Sequence, residues 1–310
     1  MRIYVYVSEK LFRYGFPPPH PLKAERYRLF SDNISFLAEN DSDIVIREPK
    51  VYGDETLMYF HTERYVEFVR KKSESGVGYL DYGDTPAYSG VYEVSRESVY
   101  ATLDAVYSTL NGGVAVNLAG GWHHSYPDRA SGFCVFNDIG VSINSVLDRV
   151  DRILYIDIDA HHGDGVYYPY ESDPRIYIFD VHQDPNTLFP GTGFEWERGS
   201  GDGEGTKVNI CLPPGSGSGE LHNTLDKCLS FAREVSPDYI IIQAGLDGLI
   251  GDPLSNLEYS LSSHLQYIIN LVKWGVSQDI GIVLLGGGGY QPRLFSLYWL
   301  GLVESILLVG

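Results

Sequence analysis

The chain has 310 residues, and 23 Lys and Arg face 41 Asp and Glu, for a formal net charge of −18. That balance argues against a direct nucleic-acid partner, since holding phosphates takes clustered cations. It suits cationic ligands such as lysine-rich tails or polyamines. Hydrophobic residues reach 44%, enough for a full core, but no apolar run is long enough to cross a bilayer.

The N-terminal segment from Met1 to Val7 lacks a signal peptide's long apolar stretch. Three cysteines, Cys134, Cys211 and Cys228, cannot build a disulfide framework. A cytoplasmic setting away from membranes is expected. No repeat or low-complexity linker divides the chain, so 1–310 reads as one domain.

In chain order, Val99, Leu103, Val106 and Leu110 recur at helical spacing, and Gly112-Gly113 stops that helix. Apolar, β-rich runs follow at 113–118, 152–158, 175–180 and 207–212. Leu221, Leu225, Cys228 and Leu229 mark a second helix, followed by a run at 239–243. Leu261, Leu265, Ile268 and Val272 mark a third, before a run at 282–285. Several runs are continuous rather than alternating, as in strands covered on both faces. The expected fold class is α/β: a mainly parallel sheet flanked by helices on both faces. Ligands bind such sheets beyond the carboxyl ends of the strands, and four distinctive motifs follow four of these runs.

The densest is Asp157-Ile158-Asp159-Ala160-His161-His162-Gly163-Asp164-Gly165. It holds three acids and two histidines within eight positions. Burying that much charge is prohibitive unless the groups are paired or bind metal. On an extended segment Asp159 and His161 point to the same side. Asp247, from Gly245-Leu246-Asp247, is the natural third ligand. Two carboxylates and one imidazole suit a borderline divalent metal with an open position. His123-His124 follow Gly120-Gly121-Trp122, and an acid–base imidazole needs a partner that fixes its tautomer. Asp157 and Asp164 remain once the metal has its ligands; Asp157 is assigned to His123 and Asp164 to His124. Gly286-Gly287-Gly288-Gly289-Tyr290 reads as a close-approach loop. It aims the Tyr290 hydroxyl at the metal, where such a donor can stabilise an oxyanion. A P-loop is not expected, because its Lys-Ser/Thr end is absent.

With His20-Pro21-Leu22-Lys23-Ala24-Glu25-Arg26, Asp84-Thr85-Pro86-Ala87, Gly132-Phe133-Cys134-Val135-Phe136-Asn137-Asp138 and Phe189-Pro190-Gly191-Thr192-Gly193, the chain resembles the zinc-dependent histone deacetylase-type family. The resemblance implies the arginase–deacetylase fold and one Zn2+ per chain held by Asp159, His161 and Asp247. It makes His123 and His124 the catalytic pair, with His124 the general base, and Tyr290 the oxyanion donor. Phe133 and Phe189 become the walls of a narrow tunnel, Gly132 its floor, and Asp84 a rim acid holding the substrate backbone. Arg26 matches an inner channel for acetate exit. Asp157, with the backbone of Asp159 and His161, matches a structural K+ site. Asp180-Val181-His182 departs from the family's Ser-x-His there. Leu254 stands where polyamine-preferring members can carry an acidic gatekeeper.

The resemblance implies hydrolysis of the acetyl amide of acetyl-lysine, in an acetylated lysine-rich protein or peptide, by metal-activated water. An acetylpolyamine or another acetylated small amine is the alternative substrate. A binuclear-manganese ureohydrolase of the same fold would need more acids near the metal strands, where Asp252 is the next available. A non-catalytic acetyl-lysine-binding scaffold would be expected to have lost Tyr290 or a histidine, and neither is lost.

Overall fold

The computed structural model describes residues 1–309. Among these, eight strands form one sheet: β1 (Ile3–Tyr6), β2 (Ile44–Arg47), β3 (Gly113–Asn117), β4 (Ile153–Asp157), β5 (Ile176–Gln183), β6 (Lys207–Leu212), β7 (Tyr239–Gln243) and β8 (Gly281–Leu285). Their order is β2-β1-β3-β8-β7-β4-β5-β6, and every pairing is parallel. The six runs expected from sequence are all strands, with ends moved by a few residues. β1 and β2 were not anticipated; each is only four residues long.

β4, β7 and β8 are buried along their whole length, which is why they are runs of Ile, Leu, Val and Tyr broken only at their ends, by Asp157, Gln243 and Gly281. The helices are α1 (Arg28–Asn40), α2 (Glu63–Ser75), α3 (Val91–Thr109), α4 (Asp138–Val146), α5 (Asp164–Tyr170), α6 (Ser218–Val235), α7 (Leu261–Ser277) and α8 (Pro292–Leu307). α1, α8, α7 and α6 pack in a row. α2, α3 and α4 form a second group, centred on α3 against β3 and β8. The α/β class with helices on both faces is the observed architecture.

One feature of the topology places the site. β3, β8, β7 and β4 are neighbours at the centre of the sheet. Their last residues, Asn117, Leu285, Gln243 and Asp157, lie in register. The four strands therefore end level, and the four segments leaving them start from one line. Those segments are the four motifs. Among the described residues no helix is long and apolar enough to cross a membrane.

Candidate active site

Asp159, His161 and Asp247 each offer a ligand atom, all within 4.8 Å of one another. His161 Nδ1 faces Asp159 Oδ1 at 3.1 Å and Asp247 Oδ2 at 3.0 Å. The expected extended alternation does not carry Asp159 and His161 there. β4 ends at Asp157, and the chain bends through 159–161. The bend is held by Asp159 Oδ1 accepting the His161 N–H at 3.0 Å and Asp247 Oδ1 accepting the Ala160 N–H at 2.8 Å. Burial opposes a charged His161, but Asp247 and Asp159 outweigh it and push its pKa up to about 10. The three groups converge on a point that calls for positive charge. Their oxygen and nitrogen donors fit a divalent cation such as zinc.

Several residues orienting this point were not anticipated. Gln243 donates to Asp159 Oδ2 at 2.8 Å, and the Gly288 N–H donates to the same oxygen at 2.8 Å. Such outer partners fix ligand orientation. Glycines leave the room: a Cβ on Gly245 would lie 2.1 Å from Asp159 Oδ2. One on Gly288 would lie 2.1 Å from Asp247 Oδ2.

The histidine pair takes the assigned partners. His123 Nδ1 meets Asp157 Oδ2 at 2.7 Å, and His124 Nδ1 meets Asp164 Oδ1 at 2.6 Å. Their ring centroids are 4.1 Å apart. The two rings nonetheless differ. Burial disfavours charge on His123, but Asp157 and Asp159 pull its pKa up to about 9. Burial and the neighbouring His123 push His124 down to about 4, against the pull of Asp164. Each acid is itself held. Tyr155 donates to Asp157 Oδ2 at 2.5 Å, and Tyr126 donates to Asp164 Oδ2 at 3.0 Å. Asp138 accepts the N–H groups of Gly121 and Trp122 at 2.9 and 2.8 Å, fixing the turn that delivers the pair.

A cavity of about 230 Å³ opens beside these groups. Its lining includes every anticipated substrate residue, Asp84, Gly132, Phe133, Phe189 and Leu254, together with His124, His161 and Tyr290. Phe133 sits at φ 70°, a left-handed conformation rare for its type. Its N–H donates to Thr85 Oγ1 at 3.1 Å, and its carbonyl accepts from Tyr14 at 3.1 Å. Burial, Asp247 and Asp159 hold the Tyr290 pKa well above its usual value, so its hydroxyl stays a donor. Arg26 lines neither this cavity nor the smaller one behind it. It donates to the carbonyls of Gly287 and Gly289 at 2.9 and 3.2 Å, gripping the tyrosine loop from behind.

His162, left without a role by the sequence, is buried and bonds Thr192 through Nδ1 at 3.0 Å. Asp180 and His182 form a second buried pair. His182 Nδ1 meets Asp180 Oδ1 at 2.6 Å and Nε2 meets the Gly193 carbonyl at 2.8 Å. Both ring nitrogens face acceptors, so the ring is an imidazolium. The other Asp180 oxygen accepts the Gly163 N–H at 2.9 Å. Asp157 Oδ1 accepts the Asp159 N–H at 3.1 Å, while Oδ2 takes His123 and Tyr155.

A cluster that could hold a metal, two acid-braced histidines and a tyrosine beside one cavity have the make-up of a hydrolase-type site on an α/β sheet. The chain belongs to the histone deacetylase domain family, which matches residues 20–306. It is 35% identical to acetoin utilization protein AcuC of Bacillus subtilis, over 97% of this chain and 82% of that protein. It is 32% identical to histone deacetylase 8 of Xenopus laevis, over 84% of this chain and 82% of that protein. AcuC of Staphylococcus xylosus is 30% identical over 97% of this chain. The family makes this chain a deacetylase-type hydrolase acting on amides.

Proposed function

We propose that this chain is a cytoplasmic, zinc-dependent deacetylase that releases lysine and acetate from acetyl-lysine in proteins or peptides. Residues 1–310 act as one catalytic domain. The observation that carries the reading is convergence: His161, within 4.8 Å of the ligand atoms of Asp159 and Asp247, lines the same cavity as His124 and Tyr290. A zinc ion held by those three ligands would polarise the amide carbonyl and acidify a water.

The chain's own residues supply the rest. His124, held uncharged by burial and oriented by Asp164, takes a proton from the attacking water at Nε2. His123, held protonated beside Asp157, keeps positive charge next to the reacting centre. The Tyr290 O–H donates to the carbonyl oxygen as it gains charge. The leaving lysine nitrogen receives its proton from a protonated histidine of the pair. Arg26 holds the loop that carries Tyr290 through the carbonyls of Gly287 and Gly289; its part in acetate exit rests on the family resemblance, since it lines neither cavity.

Phe133 and Phe189 flank the methylene stem of the substrate, and Asp84 at the rim holds its backbone. Leu254 gives the lip an apolar face. That favours the uncharged stem of acetyl-lysine over a polyamine, whose further ammonium groups would find no acid at this position. Turnover of an acetyl-lysine peptide and an acetylpolyamine side by side tests the reading. The peptide should be preferred, a chelator should stop turnover, and zinc should restore it. Tyr290→Phe should lower kcat on the order of 100- to 1000-fold, the scale of losing one oxyanion donor. Unchanged turnover in that variant would refute the role of the tyrosine.

A further inference from the structure

The tyrosine loop is intrinsically loose. Gly287 and Gly289 sit at φ 61° and 118°, and four consecutive glycines give the backbone no side chain to pack. Yet Tyr290 must present its hydroxyl to one point. The ties on the loop divide by residue. Arg26 holds the carbonyls of Gly287 and Gly289, and Asp159 holds the Gly288 N–H. The N–H of Tyr290 itself goes to Asp252 Oδ2 at 2.8 Å. The other oxygen of the same carboxylate accepts the Leu254 N–H at 3.0 Å. Asp252 is 7% exposed and stands apart from the cluster of Asp159, His161 and Asp247. Each of its oxygens accepts one backbone N–H, so the carboxylate joins the two segments.

We infer that Asp252 is a positioning residue for the reaction: one buried carboxylate spans the cavity lip at Leu254 and the oxyanion donor at Tyr290. The lip and the donor are thereby fixed relative to each other by a single side chain. The inference rests on the proposed role of Tyr290. A backbone N–H anchored at the residue bearing the hydroxyl controls that hydroxyl's place more directly than the carbonyl ties one and three residues back.

Asp252→Asn tests this. The amide keeps one acceptor but turns a donor towards the second N–H, so one tie fails. A catalytic group misplaced by about 1 Å costs on the order of 100-fold, and a drop in kcat of about 10- to 100-fold is expected. Metal content should stay at that of the wild type. The discriminating readout is a double-mutant cycle with Tyr290→Phe on a trifluoroacetyl-lysine peptide, whose activated carbonyl keeps slow variants measurable. If Asp252 acts by placing the hydroxyl, Asp252→Asn should change kcat less than about threefold once the hydroxyl is gone. The same fold-loss in both backgrounds would overturn the inference and leave the tyrosine's role standing. A Tyr290→Phe enzyme with full turnover would sink the role of the tyrosine, and the inference with it. Should Asp252→Asn not fold, Asp252→Ser, whose hydroxyl can accept one N–H, goes through the same cycle with the same criteria.

Discussion

Gly132→Ala is the sharpest single test of the packing around the proposed base. Gly132 lies at φ 52°, and a Cβ there would sit 2.6 Å from His124 Cδ2, 2.9 Å from its Cγ and 3.0 Å from Phe189 Cε1. Carbon atoms rest at about 3.5–4.0 Å, so roughly 1 Å must be found. Phe189 is 45% exposed and can turn away. His124 cannot do so freely, because its Nδ1 is tied to Asp164 at 2.6 Å. The displacement therefore falls on the imidazole. A shift of about 1 Å in a catalytic group costs on the order of 100-fold, about 2.7 kcal/mol of transition-state stabilisation. The left-handed backbone adds about 1–2 kcal/mol to the folding cost. The assay is kcat/KM on an acetyl-lysine peptide, with bound zinc measured on the same preparation. The expected result is about 100-fold lower kcat/KM at unchanged zinc. Activity within threefold of wild type would refute the reasoning, as would a loss explained by missing metal.

Gly245→Ala should strike the metal instead, since its Cβ would fall 2.1 Å from Asp159 Oδ2. Zinc affinity, measured by chelator competition, should drop at least about tenfold, as for loss of a ligand-orienting partner. Gly219, at the start of α6 with open space around it, gives a control in which Ala should leave the metal alone. His61 offers a pH test. Its Nε2 accepts the Asn137 N–H at 2.8 Å, and burial pushes its pKa from 6.5 down to about 3. The unfolded chain then binds a proton that the folded chain refuses as pH falls below 6.5, so stability declines through that window. One such group contributes a slope of about 1.4 kcal/mol per pH unit. His61→Gln, whose amide oxygen can accept the same N–H, should flatten urea-midpoint stability between pH 6 and 4 by that amount. Parallel pH profiles for the two proteins would count against the assignment.

The centre of the sheet was legible because strands buried on both faces are unbroken apolar runs, and the reactive motifs sit where those runs stop. The partners of the two histidines were legible too, since two acids remained after the metal ligands were chosen. The edges were not. β1 and β2 are too short to show a pattern, and α5 is seven residues long with Pro169 inside it. Asp159 and His161 do meet Asp247, but for another reason than expected: a bend held by side-chain oxygens, rather than strand alternation, presents them. The roles of Gln243, Asp138 and Asp252 were missed because each is a single polar residue whose partner is distant in sequence, and Tyr155, only two residues from Asp157, was passed over as one more apolar strand residue. A signal did exist for two of them. Gln243 is the one polar residue of β7, and Tyr155 shares a strand face with Asp157.

The level ending of β3, β8, β7 and β4 has a consequence for how this protein feels its ligand. Asp247 and Asp159 are hydrogen-bonded to backbone three or four residues beyond the ends of β4 and β8, at Ala160, His161 and Gly288. The three ligands Asp159, His161 and Asp247 are all buried among the described residues, so an ion held there would be released only by opening that core. Local opening at the site should cost nearly as much as unfolding the chain. A metal ion bound there would stabilise the entire molecule, by about 4 kcal/mol at a thousandfold excess over its Kd. Occupancy of the centre is thereby written into the melting temperature and into amide exchange across the sheet, far from any atom that touches the ion.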